Sequence, residues 1–180
     1  VPKIIGFIGP MNAGRLTSRR YVKKQLMRKL TKQYYDKDNV YISGLKLGAD
    51  TFFAEIVEYL ILDFHAVLSV EEQINILGKE DRAKFNRIIR AAHSVYEVYT
   101  IPQYRIKKKK RQGMVDDLGQ RYMMDQVFLK ANKFIIDMAD TIIFVWRGKR
   151  AKSNTYRSII YAQKQEKDID VIHIDGRYKI

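Results

Sequence analysis

The chain has 180 residues, 46% of them hydrophobic, enough to bury the core of one ordinary domain and too many for a disordered one. Its 34 Lys+Arg against 20 Asp+Glu give a net charge of +14, so the expected partners are anionic: nucleotides, nucleic acid or an acidic surface. With no Cys, and with His65, His93 and His173 spread along the chain, disulfides, thiolate chemistry and HExxH-type zinc ligation are excluded, and no metal-ligand set is read.

In chain order, an apolar run from Ile4 to Ile8 reads as a strand, followed by a glycine-containing loop and a helix over 15–34. Val40 to Ser43 is the next strand. It leads through a second glycine loop into a helix whose Phe52, Phe53, Ile56, Val57, Leu60 and Ile61 recur at helical spacing. Ala66 to Val70 and Val95 to Tyr99 are predicted strands flanking a helix over 80–93, and Val127, Phe128, Ala131, Phe134, Ile135 and Met138 mark a further helix. The strand Thr141 to Trp146, a helix over 155–166 and the strand Val171 to Ile174 complete the series. This alternation predicts an α/β fold, a doubly wound, mostly parallel sheet with helices on both faces, in a single domain over 1–180. No apolar run approaches the roughly 18 residues of a membrane span, and the opening Val1-Pro2-Lys3 lacks the organisation of a cleavable signal. The expectation is a cytoplasmic protein with no membrane partner.

The positive charge is unevenly placed. Residues 1–35 hold nine Lys/Arg and no acid, residues 100–115 six and none, and residues 146–157 five and none. In a parallel sheet each stretch would leave from the carboxyl edge, where open α/β sheets bind ligands and helix N-termini favour phosphate. The run Arg105, Lys107, Lys108, Lys109, Lys110 and Arg111 repels itself too strongly to form a free-standing element and is the candidate nucleic-acid contact, with Tyr99 and Tyr104 beside it for base stacking.

Three segments carry candidate chemistry. The loop Gly9-Pro10-Met11-Asn12-Ala13-Gly14-Arg15-Leu16-Thr17 approaches the GxxxxGK[ST] phosphate cradle, but Arg15 replaces its lysine and Leu16 its metal-binding hydroxyl. Phosphoryl transfer is therefore not expected; Gly9, Asn12, Gly14 and Arg15 remain candidates for ligand contact, beside the plain reading of a tight strand-to-helix turn. In the second loop, Ser43-Gly44-Leu45-Lys46-Leu47-Gly48-Ala49-Asp50-Thr51, the glycines would let backbone approach a ligand, and Asp50 or Thr51 would cap the following helix. The third segment places Trp146 and Arg147 at a strand end, then Ser153, Asn154 and Thr155 before a helix. Trp146 there is either a stacking platform or core.

Taken together, the Ser43 to Asp50 loop, Asn132 to Asp137, Ala139-Asp140, Ile142 to Gly148, Lys152 to Thr155 and Tyr161-Ala162 resemble the SLOG superfamily, most closely its YpsA-like branch, over nearly the whole chain. The resemblance implies a Rossmann-like fold, a pocket for a nucleotide or nucleotide-derived ligand at the carboxyl edge, and homo-oligomers. By position, Ser43, Gly44, Gly48, Asp50 and Glu55 correspond to the first phosphate or sugar loop, and Ser153, Asn154 and Thr155 to the second. The chain departs from the pattern at Ser158, where members that cleave N-glycosidic bonds carry a Glu, and at Arg147, which replaces an acid.

Three functions follow as expectations. The first is binding of a nucleotide or nucleotide-derived phosphorylated small molecule, without certain turnover and with no certain cofactor. The second is binding of single-stranded nucleic acid by the same basic edge, because the superfamily includes DNA-processing proteins. The third is an N-glycosidic hydrolase or transferase using Glu55 or Asp50 as its carboxylate.

Overall fold

A computed structural model describes residues 1–11, 16–69, 79–98, 114–148 and 153–174. The elements alternate as β1 (Ile4–Ile8), α1 (Leu16–Lys32), β2 (Val40–Ser43), α2 (Ala49–Tyr59), β3 (Asp63–Leu68), α3 (Lys79–Ala91), β4 (Ser94–Glu97), α4 (Met114–Met138), β5 (Thr141–Trp146), α5 (Asn154–Lys164) and β6 (Asp168–His173). The six strands form one all-parallel sheet in the order β4-β3-β2-β1-β5-β6. The predicted doubly wound α/β fold is the one observed.

Strand alternation sorts side chains onto two cores. Ile5 and Phe7 of β1, Tyr41 of β2 and Ile143 and Val145 of β5 meet α1, α2 and α3 through Val22, Leu26, Leu30, Phe53, Val57, Phe85 and Ile88. Phe7 stacks on Phe53 with ring centroids 4.6 Å apart. On the opposite face, Ile8, Ile42, Ile142 and Phe144 meet α4 and α5 through Ala131, Ile135, Ile136, Ile159 and Ala162.

Three strands begin earlier than the apolar runs predict. β3 starts at Asp63 rather than Ala66, β4 at Ser94 and β6 at Asp168, because backbone pairing with the neighbouring strand continues through polar residues that hydropathy reads as loop. Helix α4 begins at Met114, well before the apolar stripe that starts at Val127. Among the described residues, no helix is long and apolar enough to cross a membrane.

The chain leaves β1 toward the α1 face and leaves β5 toward the α5 face. These two strands are neighbours, so the winding reverses between Ile8 and Trp146, the kind of switch point at which open α/β sheets accept ligands.

Candidate functional site

The β1 and β2 loops meet at this edge, and they close on each other. The Gly9 amide donates to Asp50 Oδ1 at 2.9 Å, and the Ala49 amide donates to the Pro10 carbonyl at 3.3 Å. Gly48 adopts φ +98, and a Cβ there would lie 2.3 Å from the Met11 carbonyl oxygen; a Cβ on Gly9 would lie 2.4 Å from that of Ala49. The close approach expected between Gly48 and a ligand is thus taken by the Met11 and Pro10 carbonyls, whereas a Cβ on Gly44 would meet Asp50 Oδ2, Ile135 and the Val67 carbonyl only at 3.4–3.7 Å. Gly48 itself is the N-cap of α2, and neither Asp50 nor Thr51 caps that helix as expected. The Thr51 hydroxyl donates instead to the Lys46 carbonyl.

Behind the loops runs a buried polar chain. Lys46 Nζ lies 3.6 Å from Asp50 Oδ2 and donates to Asn132 Oδ1 at 2.9 Å; Asn132 Nδ2 donates to Ser158 Oγ at 2.9 Å, and Ser158 Oγ to the Asn154 carbonyl at 2.7 Å. Asp50, Lys46, Asn132 and Ser158 are all buried. Burial pushes the Asp50 carboxyl above its ordinary value, while the Lys46 ammonium and the Gly9 amide pull it back. The chain ties the start of α2 to α4 and α5. Ser158, noted in the sequence for a missing carboxylate, is a relay within this network. Sequence reasoning left Lys46 and Asn132 without a role; the available signal was Lys46 between two apolar residues and four positions before Asp50, on the segment where a loop turns into a helix.

The two candidate catalytic carboxylates are both engaged. Asp50 is held as described, and Glu55 bridges helices, 3.8 Å from Lys23 of α1 and 3.2 Å from Lys84 of α3.

At the β5 end, Ser153 is the N-cap of α5 and accepts the Tyr156 amide at 3.2 Å, while Thr155 is buried in the first turn. Trp146 is half-buried between Tyr156 and His173, with ring centroids 5.6 and 5.9 Å away. Its Nε1 and the Ser43 Oγ are buried with no hydrogen-bond partner among the described residues. Arg147 follows Trp146 and is partly exposed. Burial lowers the His173 imidazole. Ser43, Gly9, Gly48, Asp50, Trp146, Ser153 and Thr155 therefore do gather around the ends of β2, β1 and β5.

Asn12, Gly14 and Arg15 lie outside the described residues, as does the run Arg105, Lys107, Lys108, Lys109, Lys110 and Arg111. Of the strands that the three basic stretches adjoin in sequence, β4 is an edge strand, while β1 and β5 are neighbours, separated from β4 by β2 and β3. Exposed cations of α1, among them Arg20, Lys24, Arg28 and Lys32, continue the positive surface along one face.

No family model and no curated protein matches the chain. Among solved structures, DNA processing protein A from Streptococcus pneumoniae superposes with a TM-score of 0.63 at 16% identity, over 94% of this chain and 50% of that one. DNA processing protein A from Helicobacter pylori, described for its single-stranded DNA binding mode, superposes at 0.61 with 20% identity, over 94% of this chain and 65% of that one. The structural-genomics target TM1055 superposes at 0.52 with 14% identity, over 93% and 72%. The chain spans less than two thirds of either DNA processing protein, and what it shares with all three is the Rossmann-like fold.

Proposed function

We propose that the chain binds single-stranded nucleic acid along the carboxyl edge of its sheet and the adjoining face of α1, gripping phosphates rather than reading bases. One observation carries this reading. Twenty of the 34 basic residues fall in three acid-free stretches of the sequence, one containing β1 and α1, one following β4 and one beginning at the last residue of β5. A single nucleotide does not need a positive surplus of that size, whereas a strand of several phosphates does. The fold likeness to a DNA processing protein described for single-stranded DNA binding supports the same reading. So does the closure of the β1 and β2 loops on each other, which removes much of the enclosed cradle that a small ligand would use. The reading takes the chain as a SLOG-type protein; its placement in the YpsA-like branch rests on the motifs alone.

The test is fluorescence anisotropy of a labelled oligothymidine across a salt series. The logarithm of affinity should fall linearly with the logarithm of salt, by about 0.7 for each phosphate neutralised. Replacing the exposed pair Arg20→Gln and Lys24→Gln should flatten that slope by about 1.4 in total. Weak binding at low salt, or a slope indifferent to these substitutions, would reject the reading.

The second reading, a nucleotide-derived small molecule at the ends of β2 and β5, is favoured by Trp146 Nε1 and Ser43 Oγ, which have no hydrogen-bond partner among the described residues and are polar groups of the kind a sugar or phosphate satisfies. A nucleotide panel in a thermal-shift assay, with Thr155→Val as the variant that loses the shift, distinguishes it.

A further inference from the structure

We propose that Asp63, His65 and His93 form a site for a divalent transition-metal ion of the zinc type at the amino edge of β3 and β4, on the opposite side of the sheet from the nucleotide edge. Asp63 and His65 are two apart on β3 and share a face. The parallel pairing of β4 delivers His93 beside them, its amide donating to the Phe64 carbonyl at 2.8 Å. The His65 and His93 rings stack with centroids 5.5 Å apart, and one ligand atom from each of the three residues lies within 4.8 Å of the other two.

The spacing favours coordination over direct contact. Asp63 Oδ1 is 3.5 Å from His65 Nε2 and 3.3 Å from His93 Nδ1. Charge-assisted N–H···O bonds run about 2.7–2.9 Å, so these separations are long for hydrogen bonds. Donors about 2.0–2.1 Å from a tetrahedral ion stand about 3.3 Å from one another, the separation found here. Asp63 Oδ1 and His65 Nε2 are moreover buried with no hydrogen-bond partner among the described residues. His65 Nδ1 meets the Tyr96 hydroxyl at 3.3 Å. With Nδ1 donating there, Nε2 turns its lone pair toward the carboxylate, an arrangement that a cation between them resolves and that a metal-binding histidine normally shows.

Two imidazoles and one carboxylate, without thiolate, suit zinc, iron(II) or nickel better than magnesium or calcium. Three protein ligands leave a coordination position open, and Asp63 and His93 also line a cleft of about 430 Å³ bounded by Glu58, Ile61, Leu62 and Ile88. Glu58 is taken by Arg87 at 3.0 Å, which leaves the open position to solvent or a small ligand. His93 is the exposed member of the set.

The experiment is calorimetric titration of the metal-free protein with Zn²⁺, paralleled by Co²⁺ titration read from its visible d–d bands and by Mg²⁺ as control. One equivalent of Zn²⁺ should bind, Co²⁺ should give the intense bands of a four- or five-coordinate site, and Mg²⁺ should not compete. His93→Ala, at an exposed position, should weaken Zn²⁺ by roughly tenfold or more, as should Asp63→Asn. Absence of binding, or undiminished affinity in His93→Ala, overturns the proposal even if Asp63→Asn fails to fold.

Discussion

Lys46 and Asp50 are charged side chains with almost no access to water, and each is there because the other is. A buried ion pair is weak evidence for stability as a pair, but removing one partner strands the other in a poorly polarisable interior. Lys46→Met should therefore destabilise the fold by about 3–5 kcal/mol in urea denaturation. Adding Asp50→Asn should recover much of the loss, since the amide oxygen still accepts the Gly9 N–H without carrying charge. His173 gives the pH dependence. Burial lowers its pKa from the ordinary 6.5, so below that value the unfolded chain takes up a proton that the folded one resists. The sign is a stability that falls as pH drops from 6.5 toward the folded-state value and is unaffected above it. Urea midpoints between about pH 7 and pH 5.5 should fall more in the wild type than in His173→Phe, which keeps a ring beside Trp146. Equal slopes would remove His173 from the account.

At the scale of elements, the β2–α2 loop is the instructive one. Its glycines and its Asp are where a phosphate cradle would have them, and from the sequence they read as one. The required backbone freedom is real, because Gly48 sits at φ +98 and ψ −123, a region that side chains rarely enter. What approaches it is the Met11 carbonyl. Gly48→Ala should accordingly cost at least about 1–3 kcal/mol of stability, and the loss should appear in denaturation with no ligand present. A Gly48→Ala protein as stable as the wild type would return the glycine to ligand binding. The sequence could register that something must come close to Gly48; it could not say what, since the β1 loop is remote along the chain and nothing local marks it as the neighbour.

At the scale of the molecule, parallel pairing gives the sheet two unlike edges. The carboxyl edge collects the starts of α1 and α5, and exposed cations such as Arg20 lie near the start of α1, where attraction for a polyanion acts within about a Debye length, roughly 8 Å at physiological ionic strength. This is why the nucleic-acid test is a salt titration and why its outcome depends on exposed cations such as Arg20 and Lys24 rather than on the buried Lys46. The amino edge collects Asp63, His65 and His93, which the chain keeps apart and the pairing of β3 with β4 brings together. The fold class, the six strands, the five helices and the positive surplus were determined by the sequence itself, because hydrophobic periodicity and net charge are sums over local residues that need no partner to be read. Strand order, the closure of the glycine loops, the Lys46 to Ser158 relay and the histidine pair were decided only by tertiary structure. Each is a contact between segments far apart in the chain, and the distance between two side chains is set by which strands lie side by side, a property that no local window contains.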